Sequence, residues 1–426
     1  MAQRKPKTSA SASDTQPPLD RRGFLGGALA AATAASLLRS SSSHAEEQPA
    51  PPPKAEEAGR KIKLGVVGCG GRGAWIAGLF KKHGGYEMHA VADYFQAVAD
   101  KCGDALGVDK ARRFSTLSGY KQLIESGIEA IAIEDVPYFY PEQAKAAVEA
   151  GLHVYTAKPV AVDVPGALQI EALAKQATQK KRCFLVDYQM PTDPSHIEVA
   201  TRVRDGALGK LAQVATLACC GGFSDPPKTA NLESRLQGLI WCNDTALGGG
   251  YLVNFDIHAI DAAVWVLGQR PVSVMSASRQ CRANPHGDSH DVTSAVFEYA
   301  DGLVHNHFGQ ALANNSDGVL DARLYGTKAN ALLTYWLGKA YVRGGDKHFA
   351  GKVENLYEAG AVRNIAAFRQ NICEDRFGNE IAQRAVDGLL TAILAREAGL
   401  RRGRLTMEDL LKENKRLDVD LTGLKT

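Results

Sequence analysis

The chain has 426 residues, of which 45% are hydrophobic and 23% are charged, and its formal net charge is +3. These values are typical of a globular protein of two or three domains, and without a long basic run they give no indication of nucleic-acid binding. The eight cysteines show no metal-ligand spacing, so we interpret most of them as small core residues rather than as a disulfide framework.

The first 60 residues are typical of an export signal followed by a linker. Arg21 and Arg22 precede the Ala/Leu-rich stretch Gly26–Leu38, and Ser43-His44-Ala45 then supplies small residues where a signal peptidase reads them. The apolar stretch is too short for a comfortable membrane span. We predict a twin-arginine signal over 1–45, a linker over 46–60 and an exported, periplasmic mature form without a stable span. An N-terminal anchor or a disordered tail is the alternative.

A glycine turn follows the predicted strand Ile62–Val67 and leads into an amphipathic helix. In Gly68-Cys69-Gly70-Gly71-Arg72-Gly73, the first glycine permits a sharp turn, Gly70 lets the backbone approach a pyrophosphate, and Gly73 allows close helix–strand packing. The helix N-terminus offers free N–H groups and partial positive charge to phosphates. The turn therefore predicts a dinucleotide site that includes Gly71 and Arg72.

A second predicted strand ends in Asp93, twenty positions after Gly73. An acidic residue there accepts hydrogen bonds from a ribose 2′-OH and repels a 2′-phosphate. The neighbouring Tyr94 and Phe95 offer no positive charge to offset that repulsion. We therefore predict NAD in preference to NADP, with a glycine-rich turn in an unrelated α/β protein as the alternative.

Strands and helices alternate up to Asp187. The predicted helices are Gln96–Leu106, Tyr120–Ser126, Pro141–Ala150 and Val164–Gln179, and the later strands are Ile128–Ile133, Leu152–Tyr155 and Cys183–Asp187. This alternation predicts a doubly wound parallel sheet, a Rossmann domain over 61–187. Asp93, Glu134, Lys158 and Gln189 fall at or just after strand ends, so we expect them in one crevice.

The second half contains longer β segments with few helices between them. They are Leu211–Cys219, Pro271–Ser278, Val292–Tyr299, Leu303–Gln310 and Ala322–Tyr325. We predict an α+β domain over 188–426 with an open, mainly antiparallel sheet, a helix at Ile257–Leu267, and closing helices at Val362–Cys373 and Glu380–Arg396. The free sheet face is a natural surface for a partner subunit, so we expect a homo-oligomer.

Three segments together resemble the glucose–fructose oxidoreductase/inositol dehydrogenase (Gfo/Idh/MocA) family. They are the glycine turn, AGLHVYTAKPVA ending at 161, and GGGYLVNFDIHAIDAAVWVLG ending at 268. The late segment LLTAILAREAGLRRGRLTMEDLL is similar to the exported branch of that family. The resemblance covers about 61–411 and implies a nicotinamide-dependent oxidoreductase.

Lys158 matches the lysine of the family's Glu-Lys-Pro motif, and Pro159 matches its proline. A cation beside a nicotinamide ring and a sugar hydroxyl can lower the pKa of the hydroxyl and orient it for hydride transfer. Ala157 replaces the usual glutamate, which leaves open how Lys158 is held. A solvated lysine at a strand end is the alternative.

His258 matches the family's catalytic histidine, and Asp261 its last aspartate. Imidazole titrates near neutrality and can take a hydroxyl proton as hydride leaves; a buried structural histidine is the alternative. Asn254 stands where aspartate is usual, and shares a face with His258 if the helix begins early enough. Asp256 replaces a glycine, and either supplies the missing carboxylate or caps the helix at Ile257. Asp261 fits a structural role better.

The segment from Glu134 through Pro137 to Tyr140 occupies the family's cofactor-contacting region. A histidine is common at the position of Tyr140, which could keep a hydrogen bond or only pack. Gln189 matches a family glutamine, but Pro191 replaces the arginine that usually follows. We include Glu134, Pro137, Tyr140 and Gln189 among the cofactor-binding candidates.

Two histidine groups could bind a metal: His286 with His290 and Asp291, and His305 with His307, which would share one face of a strand. No third ligand is assured for either group. Substrate contacts or surface positions explain them equally well, so we predict no metal.

The resemblance implies a sugar, sugar acid or polyol as the small-molecule substrate. Free NAD is not expected outside the cytoplasm, so the cofactor would travel bound to the folded protein and be recycled in its site. This leaves open a redox-neutral glycoside-cleaving enzyme or lyase that works through a transient keto-sugar, as in some family members. It also leaves open a non-catalytic, nucleotide-bound sugar-binding protein, in which Ala157 and Asn254 mark lost chemistry.

Overall fold

The computed structural model describes residues 59–227 and 232–426, all within one compact unit. The predicted signal and most of the predicted linker lie outside the described residues. In the described part of the chain, no helix is both long enough and apolar enough to cross a membrane. All eight cysteines are free, and five of them are buried.

The first sheet has six parallel strands in the order β3-β2-β1-β4-β5-β6. Its strands are β1 Ile62–Val67, β2 Tyr86–Asp93, β3 Arg113–Ser115, β4 Ala130–Ile133, β5 His153–Ala157 and β6 Phe184–Asp187. The helices between them are α1 Gly71–His83, α2 Gln96–Leu106, α3 Gly119–Glu125, α4 Tyr140–Glu149 and α5 Val164–Gln179. Every residue of β4 and β6 is buried, as in a sheet covered on both faces. The predicted Rossmann sheet is confirmed, with its crevice between β1 and β4.

The second sheet has nine strands in the order β14-β13-β12-β11-β7-β10-β9-β8-β15. They are β7 Leu211–Cys220, β8 Ser273–Arg279, β9 Val292–Glu298, β10 Val304–Ala311, β11 Val319–Gly326, β12 Asn330–Thr334, β13 Lys339–Arg343, β14 Phe349–Lys352 and β15 Arg404–Thr406. Only β7 and β10 pair in parallel among these described strands. The predicted open, mainly antiparallel sheet is confirmed.

The second half of the chain also contains helices, several of which pack on this sheet. They are α6 Pro194–Arg204, α7 Thr245–Gly248, α8 Ile257–Leu267, α9 Leu356–Cys373, α10 Glu380–Arg401 and α11 Met407–Glu413. α10 is almost wholly buried from Val386 to Gly399, because it packs against α8, β8 and α5. α9 instead packs on the first sheet, where Ala361, Ile365 and Phe368 join the core around β1. The two closing helices therefore tie the halves of the molecule together.

Candidate active site

The glycine turn has the backbone geometry that its sequence predicts. Gly68 has φ +85°, and a side chain at Gly73 would place its Cβ 1.7 Å from the carbonyl oxygen of Gly68. Beside Gly70 and Gly71, in contrast, a Cβ would meet nothing within 4 Å among the described residues. Gly70 precedes α1 without a side-chain cap in that region. Open space beside uncapped helix N–H groups fits a diphosphate.

Asp93 closes the turn from the end of β2. Its Oδ2 accepts a hydrogen bond from the Cys69 amide at 2.8 Å, and its Oδ1 accepts one from the Phe95 amide at 2.9 Å. Burial raises the pKa of this carboxyl group, and the two amides oppose that rise. The carboxylate also lines a pocket with Tyr94 and Leu117, here called the adenosine pocket. The glycine turn and Asp93 predict that the adenosine ribose of a dinucleotide binds there.

A second carboxylate, Asp135, faces the same pocket. Its Oδ2 accepts a hydrogen bond from Gln143 Nε2 at 2.6 Å, while Oδ1 is buried without a partner in the described ranges. Burial raises the pKa of Asp135 to about 7. Asp135 was not among the predicted site residues, although it directly follows Glu134 after β4. The Tyr140 hydroxyl donates to the Asp135 carbonyl at 3.0 Å, so Tyr140 keeps a hydrogen bond besides its packing. Pro137 starts the 3₁₀ turn before α4.

Arg72 extends from the first turn of α1 to the ends of two strands. Its Nε lies 3.2 Å from Glu134 Oε2 after β4, and its terminal nitrogen contacts the Asp187 carboxylate at the end of β6. A second terminal nitrogen donates to the Tyr357 hydroxyl at 2.9 Å. Burial raises the pKa of Glu134 to about 8, against the attraction of Arg72. Asp187 was not among the predicted site residues, since only its distant partners reveal its role.

Gln189 is held between Asp187 and the second half of the chain. Its Nε2 donates to Asp187 Oδ1 at 2.9 Å, and its Oε1 accepts a hydrogen bond from the Tyr335 hydroxyl at 2.9 Å. Asn364 on α9 also donates to Asp187 Oδ1, at 2.7 Å. These contacts support a positioning role for Gln189 at the edge of the crevice.

Lys158 reaches from the end of β5 into the second half of the chain, where its Nζ donates to the backbone carbonyl of Asn254. Burial, and then the nearby charge of Arg72, lower its pKa to about 8. Asn254 lies in a π-helical turn, Leu252–Asp256, that runs directly into α8. Such turns often occur at functional sites. The carbonyl of Asn254 therefore holds the lysine, which explains how Lys158 is positioned with Ala157 before it.

His258 lies in the first turn of α8, between the rings of Tyr188 and Tyr335, whose centroids are 6.1 and 5.2 Å away. The ring is half-buried at the edge of the crevice. Burial, followed by the charges of Lys158 and Arg72, lowers the pKa of the imidazole well below its usual value. The ring is therefore neutral at pH 7 and able to accept a proton.

Arg72, Glu134, Lys158, Asp187 and His258 form one group of buried and half-buried side chains, here called the charged cluster. Arg72, Asp187 and Glu134 all act on the pKa of Lys158, and Lys158 and Arg72 act on that of His258. The cluster lies where the carboxyl ends of β4, β5 and β6 meet α8. The structure thus brings the predicted Lys158, His258 and Glu134 together at the crevice. Their roles in binding and catalysis stay predictions.

Asp256 points away from the charged cluster. Its Oδ2 lies 3.0 Å from His307 Nε2, and no capping hydrogen bond from its side chain is found in the described structure. The helix-cap alternative is therefore wrong, because the helical backbone continues through Asp256 from the π turn. The side chain of Asn254 instead accepts a weak hydrogen bond from Cys242 Sγ at 3.5 Å. The π turn also means that Asn254 and His258 are not spaced as in a regular α-helix.

His307 begins a buried chain of hydrogen bonds beneath the second sheet. Its Nδ1 contacts the Thr216 hydroxyl at 2.9 Å, and Thr216 contacts His305 Nε2 at 2.7 Å. Both histidines are buried, so their interpretation as surface residues is wrong. His290 bonds to Ser278 at 2.7 Å, and His286 is exposed. Within 59–227 and 232–426, no group of three or more His, Cys, Asp or Glu could hold a metal ion.

Two family profiles match the chain in succession. Residues 62–188 match the "Oxidoreductase family, NAD-binding Rossmann fold", and residues 196–332 match the "GFO/IDH/MocA C-terminal domain". The chain belongs to the Gfo/Idh/MocA family of oxidoreductases. Its glycine turn and first sheet are the NAD-binding part of a Gfo/Idh/MocA protein.

The relatives that match this chain have low sequence identity to it. The chain is 24% identical to an inositol 2-dehydrogenase of Rhizobium meliloti over 257 residues, which are 60% of this chain and 68% of that protein. It is 25% identical to an α-N-acetylgalactosaminidase of Shewanella oneidensis over 155 residues, 35% and 33% of the two chains. Other curated relatives are matched over 52% and 56% of their own lengths.

One solved structure of the same fold is a levoglucosan dehydrogenase in complex with NADH and levoglucosan. It superposes with a TM-score of 0.67 over 82% of this chain and 100% of that chain, at 16% identity. At that identity the superposition establishes a shared fold and no more.

Proposed function

We propose that this protein is an NAD-dependent oxidoreductase that acts on a hydroxyl of a sugar, sugar acid or polyol. The observation that carries the proposal is the position of the half-buried His258 beside Lys158, at the carboxyl edge of an NAD-binding sheet. Relatives named for inositol and levoglucosan support a polyhydroxylated substrate.

The residues present fit the dinucleotide. The open backbone at Gly70 and Gly71 would take the diphosphate, and Asp93 would accept a hydrogen bond from the ribose. Bound NAD⁺ would supply the hydride acceptor. Lys158, held by the Asn254 carbonyl, would donate a hydrogen bond to the substrate hydroxyl and favour its ionisation. His258 would take the hydroxyl proton, since burial keeps its ring neutral.

The direct experiment identifies what the purified protein carries and whether it consumes NAD. Mass spectrometry of the released nucleotide, followed by incubation with a panel of sugars and polyols, should show bound NAD and its reduction by at least one compound. Net reduction of added NAD supports a dehydrogenase. Sugar binding without any cofactor reduction would contradict the proposal and favour the non-catalytic alternative.

A second candidate is a redox-neutral enzyme that cleaves a glycoside or eliminates through a transient keto-sugar. The glycosidase name of the Shewanella relative favours it. In that case, product would form with no net loss of added NAD, and solvent deuterium would enter the sugar carbon beside the oxidised one. Turnover that consumes NAD in proportion to product excludes this candidate.

We also infer that the protein is exported in folded form. The support is the paired Arg21-Arg22 before Gly26–Leu38, with Ser43-His44-Ala45 after it. Replacing both arginines with lysine should block export, while the same replacement at Arg4 and Arg39 should not. Unchanged export of the Arg21→Lys/Arg22→Lys variant would remove the twin-arginine interpretation.

A homo-oligomer through the open sheet face is the remaining part of the proposal. Met275, Val296 and Phe308 on neighbouring strands are 62%, 45% and 48% exposed. Side chains of this kind on one sheet face are typical of a surface that another subunit covers.

A further inference from the structure

The last residues of the chain return to the Rossmann half instead of ending beside α11. The Leu417 amide donates to Asp163 Oδ2 at 2.8 Å, close to the start of α5. At the other end, the Lys425 carbonyl accepts a hydrogen bond from the Leu117 amide at 3.0 Å. The Lys425 amide donates to the Tyr94 hydroxyl at 3.1 Å. The segment Leu417–Lys425, here called the C-terminal strap, is thus fixed at both ends.

Apolar side chains attach the strap between these two ends. Leu424 is 8% exposed and belongs to a small core that is separate from the two main cores. Val419 and Leu421 pack against the same core. Lys425 adds an ion pair, with Nζ 3.7 Å from Glu233 Oε1. The strap has no helix or strand within 417–425, so its attachment depends on this packing and on the contacts at its two ends.

The residues beneath the strap are also the wall of the adenosine pocket. The side chains common to the small core and the pocket are Tyr94, Leu117, Val136, Phe139 and Leu236. Asp93 lies in the same pocket. The strap packs behind this wall and joins Tyr94 to Leu117 through Lys425.

We propose that the C-terminal strap holds the adenosine pocket closed and slows the release of NAD, with Leu424 and Lys425 as cofactor-positioning residues. This inference rests on the proposed function, because it assigns the pocket to NAD. An enzyme that recycles its cofactor in place gains from slow release. The wall residues must separate before the adenosine can leave. The strap slows release because its contacts with Tyr94 and Leu117 oppose that separation.

The test compares NAD release from four full-length variants and one truncated after Arg416. Leu424→Ser removes the buried anchor, and Leu424→Ile restores an apolar side chain. Tyr94→Phe removes the hydroxyl oxygen that accepts a hydrogen bond from the Lys425 amide. Leu400→Ser is the matched control, since Leu400 on α10 is 45% exposed. The dissociation rate is measured by chasing bound NAD with excess labelled NAD, and thermal unfolding is followed on nucleotide-free protein.

Leu424→Ser and the truncated chain should release NAD at least about tenfold faster, a change of roughly 1.4 kcal/mol, while Leu424→Ile and Leu400→Ser should match the parent. Tyr94→Phe should lie between them. The melting temperature of the nucleotide-free protein should change little. Equal release rates from the parent and the truncated chain would overturn the proposed role of the strap. Faster release that appears only with loss of the fold would overturn it as well. A parent protein that binds no NAD would instead contradict the proposed function, and the strap's role with it.

Discussion

Lys158 is a half-buried cation whose charge depends on pH in the range where enzymes work. Its pKa is lowered to about 8, so the cationic form is lost as the pH rises through that value. His258 is already neutral there, because its pKa lies well below 6.5. If the cation polarises the substrate hydroxyl, kcat/KM should fall above about pH 8.

A pH–rate profile of the parent and two variants checks this. The fall in kcat/KM above about pH 8 forms the alkaline limb of the profile. Lys158→Arg should move this limb to higher pH, because arginine stays charged. Glu134 also has a pKa of about 8, and its carboxylate raises the pKa of Lys158, so Glu134→Gln should keep the limb and move it to lower pH. Loss of the limb in Glu134→Gln would assign it to Glu134 instead. A rate that rises above pH 8 would instead identify the neutral lysine as the base.

Two carboxylates in the adenosine pocket set its charge. Asp93 accepts hydrogen bonds from two backbone amides, whereas Asp135 has one oxygen without a partner among the described residues. Both repel a 2′-phosphate when ionised, which for Asp135 requires a pH above about 7, so the parent should bind NAD more tightly than NADP at pH 8. The preference for NAD is the ratio of the NADP dissociation constant to that of NAD. Asp93→Asn and Asp135→Asn should each lower this ratio by about tenfold, roughly 1.4 kcal/mol.

Calorimetric titration with both dinucleotides provides the ratio. Asp135→Asn removes charge without disturbing the amides of the glycine turn, so it separates repulsion from damage to the turn. Tighter binding of NADP than of NAD by the parent would show that Asp93 does not contact the ribose.

The π turn before α8 is the element that connects the two halves at the charged cluster. It presents the Asn254 carbonyl to Lys158, and it turns Asp256 toward His307. Gly309 matches this arrangement, because a Cβ there would lie 2.0 Å from Asp256 Oδ2. The Asp256–His307 pair thus fixes the turn from behind.

Asp256→Asn should therefore keep most activity and lose stability, because its carboxylate faces His307 and not the substrate crevice. A catalytic carboxylate would give a loss of about 100- to 10,000-fold. Activity assays and urea unfolding of Asp256→Asn, His307→Gln and the double variant measure the coupling of the pair. A loss of that size in kcat with unchanged stability would return Asp256 to the catalytic residues.

Elements with strong local patterns could be predicted from the sequence. α2, α5 and α8 have the predicted bounds, because apolar residues recur at helical spacing in each. β12, β13 and β14 were missed, since each has only four or five residues and its pairing is set by distant strands. β11 begins at Val319, earlier than predicted, for the same reason.

The candidate site likewise has one part that the sequence predicts and one part that only the fold reveals. The glycine turn and Asp93 are local in sequence, and the structure places them as the pattern predicts. The contact of Arg72 with Asp187 joins residues 115 positions apart, and that of Lys158 with Asn254 joins residues 96 apart. No local pattern encodes such pairs, so these two contacts could be known only from the fold.

At the scale of the whole molecule, the open sheet face is the exposed apolar surface that we assign to a partner subunit. Phe308→Glu at its centre should dissociate the oligomer, because a buried, unpaired charge opposes association. Leu400→Glu, an exposed leucine on α10, is the control and should leave the mass unchanged. Light scattering after size exclusion measures the mass. An unchanged mass for Phe308→Glu would place any interface elsewhere.

The central claim is that Lys158 and His258 act together on a substrate hydroxyl as hydride passes to NAD. Single-turnover reduction of bound NAD⁺ by the most active sugar, followed through nicotinamide absorbance, tests it most directly. Lys158→Ala and His258→Ala should each slow that reduction by about 100- to 10,000-fold, while NAD affinity stays within a few-fold of the parent. If His258→Ala reduces the cofactor as fast as the parent, the base has been wrongly assigned and the account fails.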